Sequence, residues 1–320
     1  MENSQENSPH LPVLLNEIID NFKTEEEGYF IDATLGYGGH STAILESSPN
    51  INLIGIDRDI TAINFSKNRL AKFENRVNLY HGKFSEMIDE VVKKHQDKPI
   101  LGVLADIGVS SLQFDKLDRG FSFNSENLDM RMNQNDKLTA ELVINSYSEE
   151  KLSTIFRDYG EIRDSHRIAK LIIENRPILS GRDLASLIAK NVRQIGGTHP
   201  ATQLFQAIRI EVNGELLELE KLLDSLKNLK GTKIGIISFH SLEDRIIKNV
   251  FKSWAKNCIC PPEFFRCSCG DNHKIGKIIT RKPLIASQKE SKTNRRSRSA
   301  KLRIFQNNLH IMLKGETYDS

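Results

Sequence analysis

A glycine-rich turn set between two apolar runs constrains this chain more than any other feature. Tyr29-Phe-Ile-Asp32 leads into Ala-Thr-Leu-Gly36-Tyr-Gly38-Gly39-His40. A second apolar run, Ile51-Asn-Leu-Ile-Gly-Ile-Asp57, ends in an acid 18 residues after Gly39. Two short apolar runs separated by a helix-length gap predict strand, loop, helix, strand. In such a unit the glycines let backbone approach a ligand closely, and the acid ending the second strand accepts hydrogen bonds from a ribose diol. A tight turn with no ligand is the plain alternative for the glycines alone. Asp32 and Asp57 at their present spacing favour a nucleoside-cofactor site.

The details narrow the cofactor. A dinucleotide fingerprint needs a third glycine to bring the helix start onto a pyrophosphate. Here that position is Ser41, and Asp32 sits four residues before Gly36. A carboxylate there repels a diphosphate and suits a ligand carrying an ammonium, a sulfonium and a ribose. S-adenosylmethionine carries all three.

Further strand-like runs follow at Arg76–His81 and Ile100–Asp106. Between Lys137 and Leu229 apolar residues recur at helical spacing, over Glu149–Tyr159, His166–Asn175, Asp183–Val192 and Ala201–Leu229. In the last of these Leu204, Ile208, Val212 and Leu216 share one face, and Pro200 suits a first helical turn. Strand character returns at Lys233–His240, Lys277–Thr280 and Leu302–Phe305. The expected architecture is an α/β, Rossmann-like methyltransferase sheet interrupted by an all-helical domain after its fourth strand. The expected partition is 1–113 and 215–320 for the sheet domain and 114–214 for the helical, substrate-recognising insertion.

Ligands of open α/β sheets bind beyond the carboxyl ends of the strands. That rule nominates Gly36–His40, Asp57, Gly82–Phe84, Asp106–Gln113 and Phe239–Asp244. Methyl transfer from a sulfonium is an in-line displacement whose barrier falls mainly through alignment. A base amine is a poor nucleophile because its lone pair is delocalised into the ring. Asp106 or Gln113, accepting its hydrogens, would help localise that pair. A cap on the following turn is the plainer reading of Asp106. After the fifth strand, Ser241 and Asp244 are spaced for a capping box as well as for catalysis. Phe239 would stack on a base or sit in the core, His240 is a candidate orienting group, and His40 would meet cofactor through its backbone.

Net charge is only +3, so overall charge says little about a polyanionic partner. Its distribution says more. Lys289, Lys292, Arg295, Arg296, Arg298, Lys301 and Arg303 crowd one stretch with no acid between Glu290 and Arg303. Phosphate contact with counterion release is the functional reading, and a solvated loop and edge strand the bland one. The polar first residues lack a secretory pattern and no apolar run reaches membrane-spanning length, so a cytoplasmic location is expected. Cys258, Cys260, Cys267 and Cys269 fall within twelve residues. They are candidate ligands of one structural zinc, with reduced loop thiols as the alternative, since C-x-C is tighter than the usual spacing.

Longer motifs then carry a resemblance. These are His10-Leu-Pro-Val-Leu-Leu-Asn-Glu17, Asp32 through Ser41, His81-Gly-Lys-Phe84-Ser, Ala105-Asp-Ile-Gly-Val-Ser-Ser-Leu-Gln113, Asp129-Met-Arg-Met132, Arg209-Ile-Glu-Val-Asn-Gly-Glu215 and Ser238-Phe-His-Ser-Leu-Glu-Asp-Arg245. The chain resembles the bacterial ribosomal RNA small subunit methyltransferase H family, also called MraW, from about His10 to Arg303. The resemblance implies S-adenosylmethionine-dependent methylation of the 4-amino group of a cytosine in the decoding region of 16S rRNA, position 1402 in standard rRNA numbering. The partner would be that rRNA within the small subunit or a late assembly intermediate. By motif position it implies cofactor contacts at Gly38, Gly39, His40, Asp57, Phe84, Asp106 and Gln113. Two motifs depart from the usual family pattern: Lys83 and Arg295 stand where proline is usual. A Pro-Pro-Tyr type motif, common in amino-directed methyltransferases, is replaced by Asp106-Ile-Gly-Val. Two other readings remain at this stage. A nucleotide-binding RNA chaperone is disfavoured by the acids at strand ends, and an NAD-dependent oxidoreductase by the missing third glycine.

Overall fold

The computed structural model describes residues 11–108, 117–192, 199–261, 263 and 266–308. The chain forms two compact units, one from the stretches up to Gly108 and from Glu218 onward, the other from the residues between.

The first unit is built on one sheet. Its strands are β1 Gly28–Asp32, β2 Ile51–Asp57, β3 Val77–His81, β4 Ile100–Asp106, β5 Lys233–Ser238, β6 Gly276–Ile278, β7 Leu284–Ile285 and β8 Lys301–Asn307. They lie in the order β3-β2-β1-β4-β5-β8-β6, with β7 also beside β8. The pairs from β3 through β5 are parallel, whereas β8 runs antiparallel to β5, β6 and β7. Every residue of β1 is buried, as a central parallel strand covered on both faces requires. Strand packing is close enough to need glycine: a Cβ at Gly102 would come within 2.7 Å of the Phe30 ring. The parallel register, with Asp32 beside Gly55 and Leu104, and Asp57 beside His81, brings the carboxyl ends to one edge.

Helices cover both faces. α1 Leu15–Phe22, α2 Gly39–Ser47 and α3 Ile60–Arg69 supply Ile18, Phe22, Ile44, Leu45 and Ile63 to one core. The opposite core takes Ile88 and Val91 from α4 Phe84–Lys94. Four of these helices start from different chemistry, and α3 is capped by Asp59, whose side chain accepts the Thr61 N–H.

The second unit is helical: α5 Ala140–Ser146, α6 Glu149–Gly160, α7 Ser165–Glu174, α8 Gly181–Asn191 and α9 Thr202–Asn213. Its core gathers Leu152, Phe156, Ile168, Ile172, Leu184, Leu204 and Ile208. Thr139, Ser148 and Ser180 cap three of the helices through their hydroxyls. Two family motifs meet here as structure. Asn213 accepts the Met132 N–H at 2.8 Å and donates to the Met130 carbonyl at 2.9 Å. Arg209 holds Glu215 through two nitrogens, at 2.8 and 2.9 Å.

The apolar run Ala201–Leu229 is not one helix. Gly214, at φ 60°, ends α9, and α10 Glu215–Leu226 begins anew. Leu219, Leu222, Leu223 and Leu226 of α10 then join the sheet core with Ile247, Phe251 and Trp254 of α11 Ser241–Trp254. The expected face of Leu204, Ile208, Val212 and Leu216 therefore breaks after Val212, because a left-handed glycine resets helical phase. Pro200 lies just before the Ala201 cap, outside the helix proper. A last short helix, α12 Gln288–Thr293, precedes β8. Among the described residues no helix is long and apolar enough to cross a membrane.

Candidate active site

The turn after β1 is held open by backbone that only glycine adopts easily. Gly36 and Gly38 have φ of 52° and 70°. Gly38 is the N-cap of α2 and offers no side-chain cap, which leaves the first N–H groups of that helix for a ligand. Asp32 sits beneath the turn, buried, accepting from the Ser41 hydroxyl at 2.7 Å and the Thr34 N–H at 3.2 Å. Burial raises its pKa, opposed by the Ser41 hydrogen bond and His40. The carboxylate placed on sequence grounds to meet an ammonium is thus the anchor of the turn itself.

Asp57 closes β2. Its Oδ2 accepts the Gly36 N–H at 2.7 Å and its Oδ1 the Asp59 N–H at 2.8 Å. Two N–H donors favour the ionised form, yet burial outweighs them and pushes the pKa up to about 6. Each oxygen keeps acceptor capacity, since a carboxylate has about four lone-pair sites. Phe84 opens α4 just beyond β3, half-buried against the sheet core. Lys83, the N-cap before it, has φ −73°, the value a proline would fix. A proline could therefore stand at this position without a change in φ.

Asp106 ends β4. Its N–H donates to the Thr34 hydroxyl at 2.6 Å, which ties β4 to the glycine turn. Its Oδ1 is shut off from solvent and has no hydrogen-bond partner among the described residues. Burial raises the carboxyl pKa, while His40, Arg296 and the Gly108 N–H pull it down. Buried unpaired acceptors are rare and costly, which makes this oxygen a candidate acceptor. Phe239 packs closely on Gly108, two residues on: a Cβ there would meet the Phe239 ring at 2.4 Å. The Arg296 guanidinium stands 5.7 Å from the centre of that ring, within cation–π range. Sequence reasoning took Arg296 only as one of a basic run; nothing in its spacing reveals that it folds back beside Asp106.

Several of the nominated strand-end side chains have partners within the protein. His40 is buried with Nε2 2.8 Å from the Val13 carbonyl, so its ring is engaged within the protein. His240 is the N-cap of α11: its Nδ1 accepts the Glu243 N–H, and the Glu243 carboxylate accepts the N–H groups of Phe239 and His240 at 2.7 and 3.2 Å. The capping box read onto Ser241 and Asp244 is therefore shifted by one residue. His240 Nε2 lies 3.0 Å from Glu243 Oε1, but both atoms lack hydrogen-bond geometry, so this contact is an ion pair only when the imidazole is protonated. Asp244 instead binds Arg303, Nε to Oδ1 at 2.6 Å, with the arginine buried. Arg303 is thus removed from the group of cations offered to phosphate. Its partner holds the Asp244 carboxyl below the usual carboxylate range. Gln113 lies outside the described residues. The four cysteines do converge, their sulfurs all within 4.8 Å of one another.

A mostly parallel sheet with helices on both faces, a glycine turn over a buried acid, and acids ending β2 and β4 define a Rossmann-like methyltransferase. Comparison with known sequences gives the particular group. The chain belongs to the MraW methylase family, whose model matches residues 7–308. It is 57% identical over 302 residues to the ribosomal RNA small subunit methyltransferase H of Nitratiruptor sp., covering 94% of this chain and 99% of that one. The proteins of the same description from Wolinella succinogenes and Aliarcobacter butzleri are 53% and 55% identical. Each comparison covers 93% of this chain and 98% of the relative.

Proposed function

We propose that this protein transfers a methyl group from S-adenosylmethionine to the 4-amino group of cytosine 1402 (standard rRNA numbering) of 16S rRNA. Family membership and the description of its relatives support an rRNA methyltransferase. The observation that carries the amino-directed reading is the Oδ1 of Asp106 at the carboxyl end of β4, buried and without a hydrogen-bond partner among the described residues.

The residues fit the cofactor. Asp57 would take the ribose hydroxyls on its remaining lone pairs, the Gly36–Gly39 turn would lie against the cofactor through backbone, and Phe84 would flank it. When bound, S-adenosylmethionine supplies an electrophilic methyl group on a sulfonium. Asp106 then acts on the other reactant. Its Oδ1 accepts one hydrogen of the cytosine amine, which draws the nitrogen lone pair out of the ring and toward the incoming carbon. Forming the new N–C bond at the expense of the methyl–sulfur bond, with a neutral thioether leaving, would put the amine's surplus proton beside a carboxylate whose burial favours taking it. Phe239 offers the face on which an extruded base would stack, because a base must leave its helix for chemistry at its edge. The exposed cations Lys289, Lys292, Arg295 and Arg298 would hold phosphates.

Mass spectrometry of 16S rRNA from a strain lacking the gene tests this reading. Loss of the base methyl group on the decoding-region cytosine, restored by the wild-type gene but not by Asp106→Ala, is the expected result. A cytosine still methylated in the deletion strain would overturn it.

A further inference from the structure

Between Trp254, the end of α11, and Ile275, next to β6, the chain makes an excursion in which no described residue is buried. Its base is tied. The Ile275 N–H donates to the Trp254 carbonyl and the His273 N–H to the Asn257 carbonyl, both at 3.0 Å. Fixing backbone costs about 1–2 kcal/mol per residue, and apolar burial usually offsets it. The described residues of this stretch offer none: Ile259 is 60% exposed. Small segments without a core hold their shape by a disulfide or a metal.

The sulfurs point to the metal. Cys258, Cys260, Cys267 and Cys269 are all free thiols. Cys267 and Cys269 have their Sγ atoms 3.5 Å apart, and Cys258 and Cys269 3.8 Å apart. These separations far exceed a disulfide bond of about 2.05 Å. A tetrahedral zinc with bonds of about 2.3 Å would place its sulfurs about 3.8 Å from one another. Thiols attract one another too weakly to converge four at a time, since the S–H group is a poor donor and sulfur a poor acceptor. Backbone donors are aimed at the sulfurs as well, Ile259 N–H at Cys269 Sγ (3.4 Å) and Ser268 N–H at Cys260 Sγ (3.3 Å). Such donors spread the negative charge that four thiolates would concentrate on one ion.

We infer that Cys258, Cys260, Cys267 and Cys269 bind one zinc ion as a closed tetrathiolate that fixes the excursion between α11 and β6. Four soft sulfurs in tetrahedral array select zinc or iron over magnesium or calcium. All four positions are filled by protein, so the site is structural and leaves no place for water or substrate. On binding, the four thiols release their protons to solvent and no atom changes oxidation state. The short C-x-C spacing is met by using both sulfurs of each pair on the same ion. This assignment does not depend on the rRNA reading.

Elemental analysis of full-length protein purified without chelator should find about one zinc per chain. Protein refolded with cobalt should show the thiolate charge-transfer absorption and strong visible bands of a tetrahedral site. Cys260→Ser combined with Cys267→Ser should lose the metal and become cleavable by trypsin between Lys256 and Lys274, with S-adenosylmethionine affinity unchanged. Metal-free protein with four titratable thiols, two disulfides found by mass, or visible iron absorption in the purified chain would each overturn the zinc assignment. Should the double variant fail to fold, the cobalt spectrum of the unaltered protein still decides.

Discussion

Asp57 Oδ2 accepts the Gly36 N–H at 2.7 Å, so the acid ending β2 also sets the conformation of the turn after β1. The carboxylate proposed as ribose acceptor is therefore also the support of the turn. Asp57→Ala removes charge-assisted bonds usually worth about 1.5–3 kcal/mol. S-adenosylmethionine affinity should fall roughly ten- to hundredfold, read by calorimetry on protein shown to be folded by circular dichroism. Unchanged affinity would sink the ribose assignment.

The same carboxylate makes cofactor binding depend on pH. Its folded pKa lies near 6, above the ordinary 3.8, because burial disfavours the charge. Affinity should rise with pH through about 6, as the ionised acceptor becomes available. The stability of the unliganded chain runs the other way. A raised folded pKa contributes stability that is present below the unfolded value and lost as pH rises through the folded one. Asp32 and Asp106 are raised in the same direction. Thermal denaturation should show the unliganded protein weakening between about pH 4 and pH 6, and the cofactor's stabilising effect growing over the same window. A cofactor-induced shift in melting temperature independent of pH would count against Asp57 as the titrating acceptor.

Asp106→Asn keeps the size of the side chain and removes its charge. Methyl transfer should fall by more than about a hundredfold, while S-adenosylmethionine affinity stays within a few-fold, because the carboxylate acts on the amine. Single-turnover assays on small-subunit particles separate these effects. Equal losses in cofactor binding and in turnover would make Asp106 a cofactor residue only.

The basic stretch divides into two kinds of residue. Arg303 is buried against Asp244 at 2.6 Å, and removing one member of a buried pair costs about 3–5 kcal/mol. Arg303→Ala should lower the melting temperature markedly and leave the salt dependence of RNA binding unchanged in the folded fraction. Lys292→Ala with Arg295→Ala should do the reverse, reducing the salt slope by up to about two without loss of stability.

Arg296 belongs to neither group, since it stands over Phe239 and its charge bears on Asp106. Arg296→Ala should reduce turnover as well as RNA affinity and raise the pH at which turnover reaches its plateau, because a cation that lowers the Asp106 pKa is lost. Arg296→Lys should restore part of the pH profile. A uniform loss of RNA affinity with an unshifted profile would return Arg296 to the phosphate-binding set.

The parallel strands were legible because each is a short apolar run closed by glycine or acid, and β2 and β4 fall on the expected residues. Helix periodicity likewise places α6, α7 and α8 within a residue or two. It could not show that Gly214 splits the last run, because a left-handed glycine leaves the spacing of the leucines on either side looking continuous. Nor could it assign the leucines of α10 to the sheet core, since apolar periodicity marks a buried face without naming what buries it. At the site, Asp57 and Asp106 stand out through strand-end position alone. His240 is a local cap, paired with Glu243 three residues on, whereas the roles of Arg296 and Arg303 depend on contacts between residues far apart in sequence, such as Arg303 with Asp244, and no local pattern encodes them.

β4 and β5 are hydrogen-bonded neighbours, Gly102 beside Lys233 and Asp106 beside Ile237, although the whole helical unit lies between them in the chain. During synthesis, β1 through β4 leave the ribosome long before β5 exists. Until then the outer edge of β4 presents Val103, Leu104 and Ala105 with unpaired backbone, the kind of edge that recruits stray strands. The helical unit, with its own core, can condense meanwhile and shorten the loop that β5 must close. An rRNA methyltransferase would thus depend, for completion of its own sheet, on how promptly a ribosome delivers its second half.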